Sequence, residues 1–303
     1  MNVLVTGITG YIGSRVAARL VADGHRVRGL SRRPVEVPGV ETLVGDAVSG
    51  QGLDEALEGI DVAHYLIHSM EPSSDGAFAE RERAAAENFA SATRSAGTPR
   101  LVYLGGPVPS GTAPSSHLAS RLAVEQILLE ATPCSLALRA SIVIGAGSRS
   151  FRFLVRLVER MPVLTLPAWH VHRTSPIDER DILELLVRAG FSQPGCGMAL
   201  AAAGPESVSY GELIDRIRHH MLVGRPTVAF RRLNLTPIVS RIASLIGSEN
   251  YALMGPMMES LEADLLVPEN SAVELLGVRL HSLDAAIERA LRDWEAQESL
   301  AAR

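Results

Sequence analysis

Val3-Leu4-Val5-Thr6-Gly7-Ile8-Thr9-Gly10-Tyr11-Ile12-Gly13 is the stretch on which the fold turns. An uncharged apolar run leads into glycines spaced G-x-x-G-x-x-G, and a helical pattern follows over residues 11–22, stopping at Gly24. A strand that turns at once into a helix needs residues without a Cβ at the turn if its backbone is to approach a pyrophosphate. The N–H groups at the helix start then face the anion. Gly7, Thr9, Gly10, Tyr11, Ile12 and Gly13 are therefore candidate cofactor-binding residues, and Gly13 also lets the helix pack closely on the strand.

Outward from this loop the first half alternates apolar runs with helical patterns. Strands are expected over 2–6, 26–30, 41–44, 61–67, 101–104 and 135–138, and helices over 11–22, 53–58, 77–95 and 118–130. That alternation implies βαβ units and a parallel sheet, which right-handed crossovers wind on both faces. The predicted class is α/β: a Rossmann doubly wound parallel sheet over residues 1–147, with a smaller substrate-binding portion over 148–303. The second half is less regular. Helices are expected over 151–161, 177–189, 210–221, 236–246, 256–265 and from the cap Ser282 to Trp294, with a strand over 198–201.

The second strand ends at Leu30-Ser31-Arg32-Arg33, where an NAD-selective protein carries Asp or Glu for the adenosine ribose. Guanidinium groups suit a 2′-phosphate, so Ser31, Arg32 and Arg33 favour NADP(H) over NAD(H); two solvated surface arginines are the plainer alternative. Asp46 and Ala47 close the third strand. The Asp46 carboxylate either accepts from the adenine amino group or serves only as a turn residue. Ligands of open parallel sheets lie beyond the carboxyl ends of the strands, which places Ile67, His68 and Ser69 along the cofactor. His68 reads equally as a packed loop histidine or as a group with a direct part in chemistry.

Bulk composition narrows the class. With 47% hydrophobic but only 4% aromatic residues among 303, Ala, Val and Leu must fill the core, as in helix-covered parallel sheets. A net charge of −5 gives no reason to expect nucleic acid, and a small-molecule substrate is the expected partner. Cys134 and Cys196 lie far apart and outside any metal-ligand spacing, so both are read as reduced core or near-core residues. No apolar run approaches the ~18 residues of a membrane helix. The N-terminus shows no charged leader, so a cytoplasmic location is the expectation. Oligomeric state stays open, since no helix carries a sustained apolar seam.

The opening Val-Thr-Gly-Ile-Thr-Gly-Tyr-Ile-Gly, Gly45-Asp46 and the strand-end His68 together resemble the atypical branch of the short-chain dehydrogenase/reductases, and within it the NmrA-like NAD(P)H-binding group. Tyr65-Leu66-Ile67-His68-Ser69-Met70, Val102-Tyr103-Leu104-Gly105-Gly106, His117-Leu118-Ala119-Ser120-Arg121, Leu138-Arg139-Ala140-Ser141-Ile142 and Pro256-Met257-Met258-Glu259-Ser260-Leu261 extend the likeness along most of the chain. The resemblance implies a cofactor spanning the carboxyl edge of the sheet, with Ala140, Ser141 and Ile142 near the nicotinamide. It also implies that Asn88 supports the active-site strands and that residues 176–203 return to the sheet after part of a substrate cap.

One departure matters. Family members with dehydrogenase chemistry use Ser/Thr together with Tyr-x-x-x-Lys, in which the cation one turn away lowers the pKa of a Tyr that otherwise titrates near ~10. Here the matching segment reads His117-Leu118-Ala119-Ser120-Arg121, and Gly105-Gly106 replace the upstream serine. An imidazole titrates near ~6.5 unaided, so His117 is a candidate proton donor, with Arg121 as a clamp for the cofactor ribose. The competing view is that His117 caps the helix and Arg121 contacts the cofactor or a carboxylate. His170-Val171-His172, beside Trp169, lacks a third metal ligand, so no metal is expected; an apolar pocket is expected between Phe151 and Trp169. Two functions fit. One is an NADP(H)-dependent oxidoreductase acting on a carbonyl, quinone or enone, or an epimerase by transient oxidation. The other is a non-catalytic NADP(H)-binding redox sensor or assembly factor.

Overall fold

The chain runs β1 (Asn2–Thr6), α1 (Tyr11–Ala22), β2 (Arg26–Ser31), β3 (Val40–Val44), α2 (Leu53–Leu57), β4 (Val62–Tyr65), α3 (Phe78–Ala96), β5 (Arg100–Gly105), α4 (Ser116–Leu129) and β6 (Cys134–Ala140). This is a computed structural model, and it describes residues 1–68, 78–109, 113–166, 168–192, 195–229, 261–266, 269–298 and 300. All six strands are parallel and lie in the order β3-β2-β1-β4-β5-β6. The order reverses between β1 and β4, the switch point at which open α/β sheets hold ligands.

Successive side chains point to opposite faces of a strand, and both faces are covered. Leu4, Tyr65 and Tyr103 pack with Phe89 of α3 and Leu128 of α4 on one face. Val5, Val102 and Leu138 pack with Val16 and Leu20 of α1 on the other. Among the described residues no helix is long and apolar enough to cross a membrane.

Beyond β6 come β7 (Val143–Ile144), α5 (Arg149–Arg160), β8 (Leu164–Leu166), a single tight helical turn at Ala168–Val171, β9 (Arg173–Thr174), β10 (Ile177–Asp178), α6 (Glu179–Phe191) and β11 (Met198–Ala202). β10 pairs with β7, and β11 joins the main sheet beside β6, parallel to it, as its seventh strand. β12 (Val208–Ser209), α7 (Tyr210–His220), β13 (Thr227–Ala229), α8 (Ser271–Leu276) and α9 (Leu283–Glu295) follow. α5, α7 and α9 enclose a second core built on Phe151, Leu154, Ile214, Ile287 and Trp294.

Several expectations change. Cys134 and Cys196 form a disulfide rather than standing reduced. The parallel register of Met198 with Leu136 brings both cysteines to the same end of β6 and β11. Ile177 belongs to a strand, not to the helix expected from it, because Asp178 accepts the Arg180 N–H (2.7 Å) and so starts α6 two residues later. His170 and Val171 sit in the single tight helical turn. Phe151, Phe153 and Trp169 are buried inside the second core and hold that lobe together. Ser69, Arg231-Arg232, the helix expected over 236–246 and most of that over 256–265 lie outside the described residues.

Candidate functional site

The loop after β1 is packed backbone against backbone. Gly7 adopts φ +66°, and a Cβ there would lie 2.7 Å from the Leu66 carbonyl oxygen. Gly10 donates its N–H to the Gly7 carbonyl at 2.8 Å, and a Cβ on Gly13 would stand 2.2 Å from that same oxygen. Only hydrogen fits at these positions. Gly10 is the N-cap of α1; no side chain caps the helix and no acidic residue occupies its first turn. The first N–H groups therefore point outward without an internal acceptor, which is the arrangement an anion needs.

This loop opens into a cleft of about 1060 Å³ along the carboxyl ends of the strands. Gly7, Thr9, Gly10, Tyr11, Ile12 and Gly13 line its middle. Ser31, Arg32, Arg33, Asp46 and Ala47 line the end by β2 and β3. Ile67, His68, His117, Arg121, Ser141 and Ile142 line the end by β4, β5 and β6. Of the residues singled out from sequence, Ala140 is buried off the cleft wall and Ser69 lies outside the described residues. Asp46 Oδ1 accepts the Val48 N–H at 2.9 Å, a turn-forming bond. Asn88 donates to the Ala47 and Val48 carbonyls (3.1 and 2.8 Å), so it braces the loop after β3, where the resemblance implied that it supports the active-site strands.

A family model described as NAD(P)H-binding matches residues 7–131. The (4-alkanoyl-5-oxo-2,5-dihydrofuran-3-yl)methyl phosphate reductase of Streptomyces griseus subsp. griseus is 28% identical over 312 residues, 98% of each protein. The ceramide reductase of Caulobacter vibrioides is 29% identical over 167 residues, 54% of this chain; the match spans 52%, about half, of that relative's length. MoeE5, solved in complex with UDP-glucose and NAD, superposes with a TM-score of 0.73 at 19% identity, over 98% of this chain and 99% of that one. Residues 7–131 are thus similar to an NAD(P)H-binding domain, and the chain as a whole shares the Rossmann-type fold of MoeE5.

The far end of the cleft departs from the dehydrogenase pattern. No lysine occurs anywhere in the sequence, so no Tyr-x-x-x-Lys exists. Tyr103 is no substitute: its hydroxyl donates to the Arg121 carbonyl (3.3 Å), and burial pushes it up to about 12. Tyr11 donates to Glu179, with its ring packed against Gly145 and Gly147 and under the Arg15 guanidinium (4.4 Å). Burial followed by that carboxylate holds its hydroxyl far above the ordinary range.

His117 lies in the first turn of α4, and Ser115 is the cap, accepting the Leu118 N–H at 3.3 Å. Burial, then the neighbouring His68 and Arg121, push the His117 imidazole down to about 4. The ring is therefore neutral at neutral pH, and the imidazolium donor expected from the sequence is not populated there. Arg121, almost fully buried, donates to the Leu104 carbonyl and lies over the Tyr103 ring at 5.0 Å. Ser141 shares a 2.6 Å hydrogen bond with Thr174 of β9, which ties the sheet to the second lobe.

Sequence reasoning missed Glu82. It sits in α3 with 4% exposure, accepts from the Ser120 hydroxyl at 2.8 Å, and lies 3.3 Å from His68 Nδ1. Its signal was faint: one acid among several in a charged helical segment, Ala79-Glu80-Arg81-Glu82-Arg83, in which only the turn of the helix selects the inward residue. Arg81 and Arg149 also line the cleft and were not singled out. Asp178, Asp181 and His281 cluster near the start of α6. Arg180 already binds Asp178 and His281 Nδ1 already meets Asp181, each at 2.6 Å, so these carboxylates are occupied within the protein.

Proposed function

We propose that this protein is an NADP(H)-dependent oxidoreductase acting on a small carbonyl, quinone or enone. The observation that carries the reading is that the glycine cradle and a cluster of two imidazoles and a guanidinium line one continuous cleft. Bound NADPH would supply a hydride, and the chain's residues would supply position and electrostatics. The first-turn N–H groups of α1 hold the pyrophosphate, Arg32 and Arg33 take the 2′-phosphate, and Arg121 orients the ribose beside His117. A neutral His117 acts there as a hydrogen-bond donor to the substrate oxygen. The Streptomyces and Caulobacter relatives are both named as reductases, which supports this direction of chemistry.

A screen of carbonyl, quinone and enone compounds for NADPH oxidation tests the reading. Turnover with at least one class, faster with NADPH than with NADH, is the expected result. Replacing Arg32 and Arg33 together by Ala should weaken NADPH at least ~10-fold, the loss of a charge-assisted phosphate contact, while NADH changes little; equal losses for both refute the 2′-phosphate assignment. The absence of any Tyr-x-x-x-Lys pair favours a second reading, a sensor or assembly factor that holds NADP(H) without turnover. Tight cofactor binding with no activity across the screen would select it.

A further inference from the structure

With His117 neutral, the cleft still lacks a source for the proton that carbonyl reduction consumes. Three elements converge on a different imidazole. His68 follows β4; its Nδ1 lies 3.3 Å from Glu82 Oε1 on α3 and 3.2 Å from Arg121 Nη1 on α4. Among the described residues Nε2 has no hydrogen-bond partner, and the side chain, 33% exposed, lines the cleft with its ring 5.2 Å from that of His117. The other oxygen of Glu82 is fixed by Ser120.

We propose that His68 is the acid–base residue of this cleft and that Glu82, fixed by Ser120, is its positioning residue. Nδ1 has two partners of opposite demand. When the ring is neutral with its proton on Nε2, Nδ1 accepts from Arg121. When the ring is protonated, Nδ1–H donates to Glu82 and Arg121 keeps the Leu104 carbonyl. Burial and then Arg121 hold the His68 imidazole below its ordinary value, and the buried Glu82 carboxylate opposes them, so the charged ring is the minority form that Glu82 keeps within reach; His117 and Arg149 also face it. In the reductive direction the hydride, with both electrons, forms the new C–H bond at the carbonyl carbon. The C=O π pair moves to oxygen, and His68 Nε2 gives that oxygen its proton. His68 is left neutral, with Nδ1–H still on Glu82, and regains a proton from water at the cleft mouth.

This inference rests on the reductase reading for its substrate, but not for its first test. The His68 ring proton is titrated by NMR in the ligand-free protein, with His68→Asn identifying the resonance. Glu82→Gln should lower the His68 pKa by roughly one unit, the change expected on losing an adjacent carboxylate. Ser120→Ala strips a donor from Glu82, makes that carboxylate a stronger acceptor and should shift His68 upward, the opposite sign. Shifts of one sign, or none, in both variants overturn the pairing, and Ser120→Ala decides alone if Glu82→Gln does not fold. With NADPH and an active carbonyl substrate, His68→Asn should lose ~10²–10⁴-fold in kcat, the usual worth of a general acid; wild-type kcat in that variant overturns the acid–base role. Opposed shifts in a protein that binds NADPH yet reduces nothing uphold the His68–Glu82 pair and overturn the reductase reading instead.

Discussion

Gly13 has no room for a methyl group, because the added carbon would meet the Gly7 carbonyl oxygen at 2.2 Å. Gly13→Ala should force helix and turn apart, costing ~1–3 kcal/mol as overpacking does. It should also weaken NADPH binding, since the amides that hold the pyrophosphate move with the turn. A thermal melt and a fluorescence titration check both, and a variant that binds like the wild type contradicts the cradle. His64 is a second single-residue case. It is fully buried on β4, neither ring nitrogen has a partner among the described residues, and burial lowers its pKa from 6.5 to about 4. Its folded pKa is the depressed one, so stability is intact above pH ~6.5 and is lost as the pH falls towards the folded pKa, when the unfolded chain takes up a proton that the folded chain refuses. The loss amounts to about 3 kcal/mol by pH 4. His64→Leu removes two unpaired polar atoms and should flatten the melting profile between those limits; an unchanged pH profile would show that His64 is not its origin.

At the scale of elements, β6 and β11 are joined twice, by their ladder and by the Cys134–Cys196 bond. Closing a loop of separation 62 restricts the unfolded chain by about 4 kcal/mol in the chain-entropy account. Cys134→Ser with Cys196→Ser should lower the melting temperature and detach the β11 edge first, seen as faster amide exchange there than in β1. Equal exchange in wild type and variant would argue that the ladder alone holds this edge. α5 shows how an element's setting redirects its residues. Its apolar face closes the second core, and only Arg149 and Ser150 at its start, with the cap Ser148, reach the cleft. Among the described residues this lobe therefore presents polar and cationic groups to the cleft rather than aromatic ones.

At the scale of the whole molecule, the cleft takes walls from the β1 loop, from the ends of β2 through β6, and from the start of α5 in the second lobe. A ligand that bridges them binds the folded chain and not the unfolded one. NADPH at a hundredfold over its Kd should then stabilise the protein by about 2.7 kcal/mol. The melting temperature should rise by several degrees, more for NADPH than for NADH. A cofactor that binds without moving the melt would bind the unfolded chain equally well, and the folded cleft would not be its site.

The path from β1 through α1 to β2 was legible because each signal was local: an apolar run, three glycines, and a helix that stops at Gly24. The alternation through β6 was legible for the same reason, with differences of one or two residues at most ends. The short strands β7, β9 and β10 were not, because two-residue pairings carry no periodicity and exist only where a distant partner supplies the other half. The Cys134–Cys196 bond depended on β11 returning beside β6, a register that spacing does not encode. His117 could be picked out by position, but its lowered pKa came from what the fold buries around it. The sequence by itself determined the nucleotide cradle and the sheet that presents it, since backbone geometry at glycine is a property of neighbours in the chain. Only the tertiary structure decided which ionisable groups meet: Glu82, His68, Ser120 and Arg121 come from three separate elements, and their protonation is a property of the meeting.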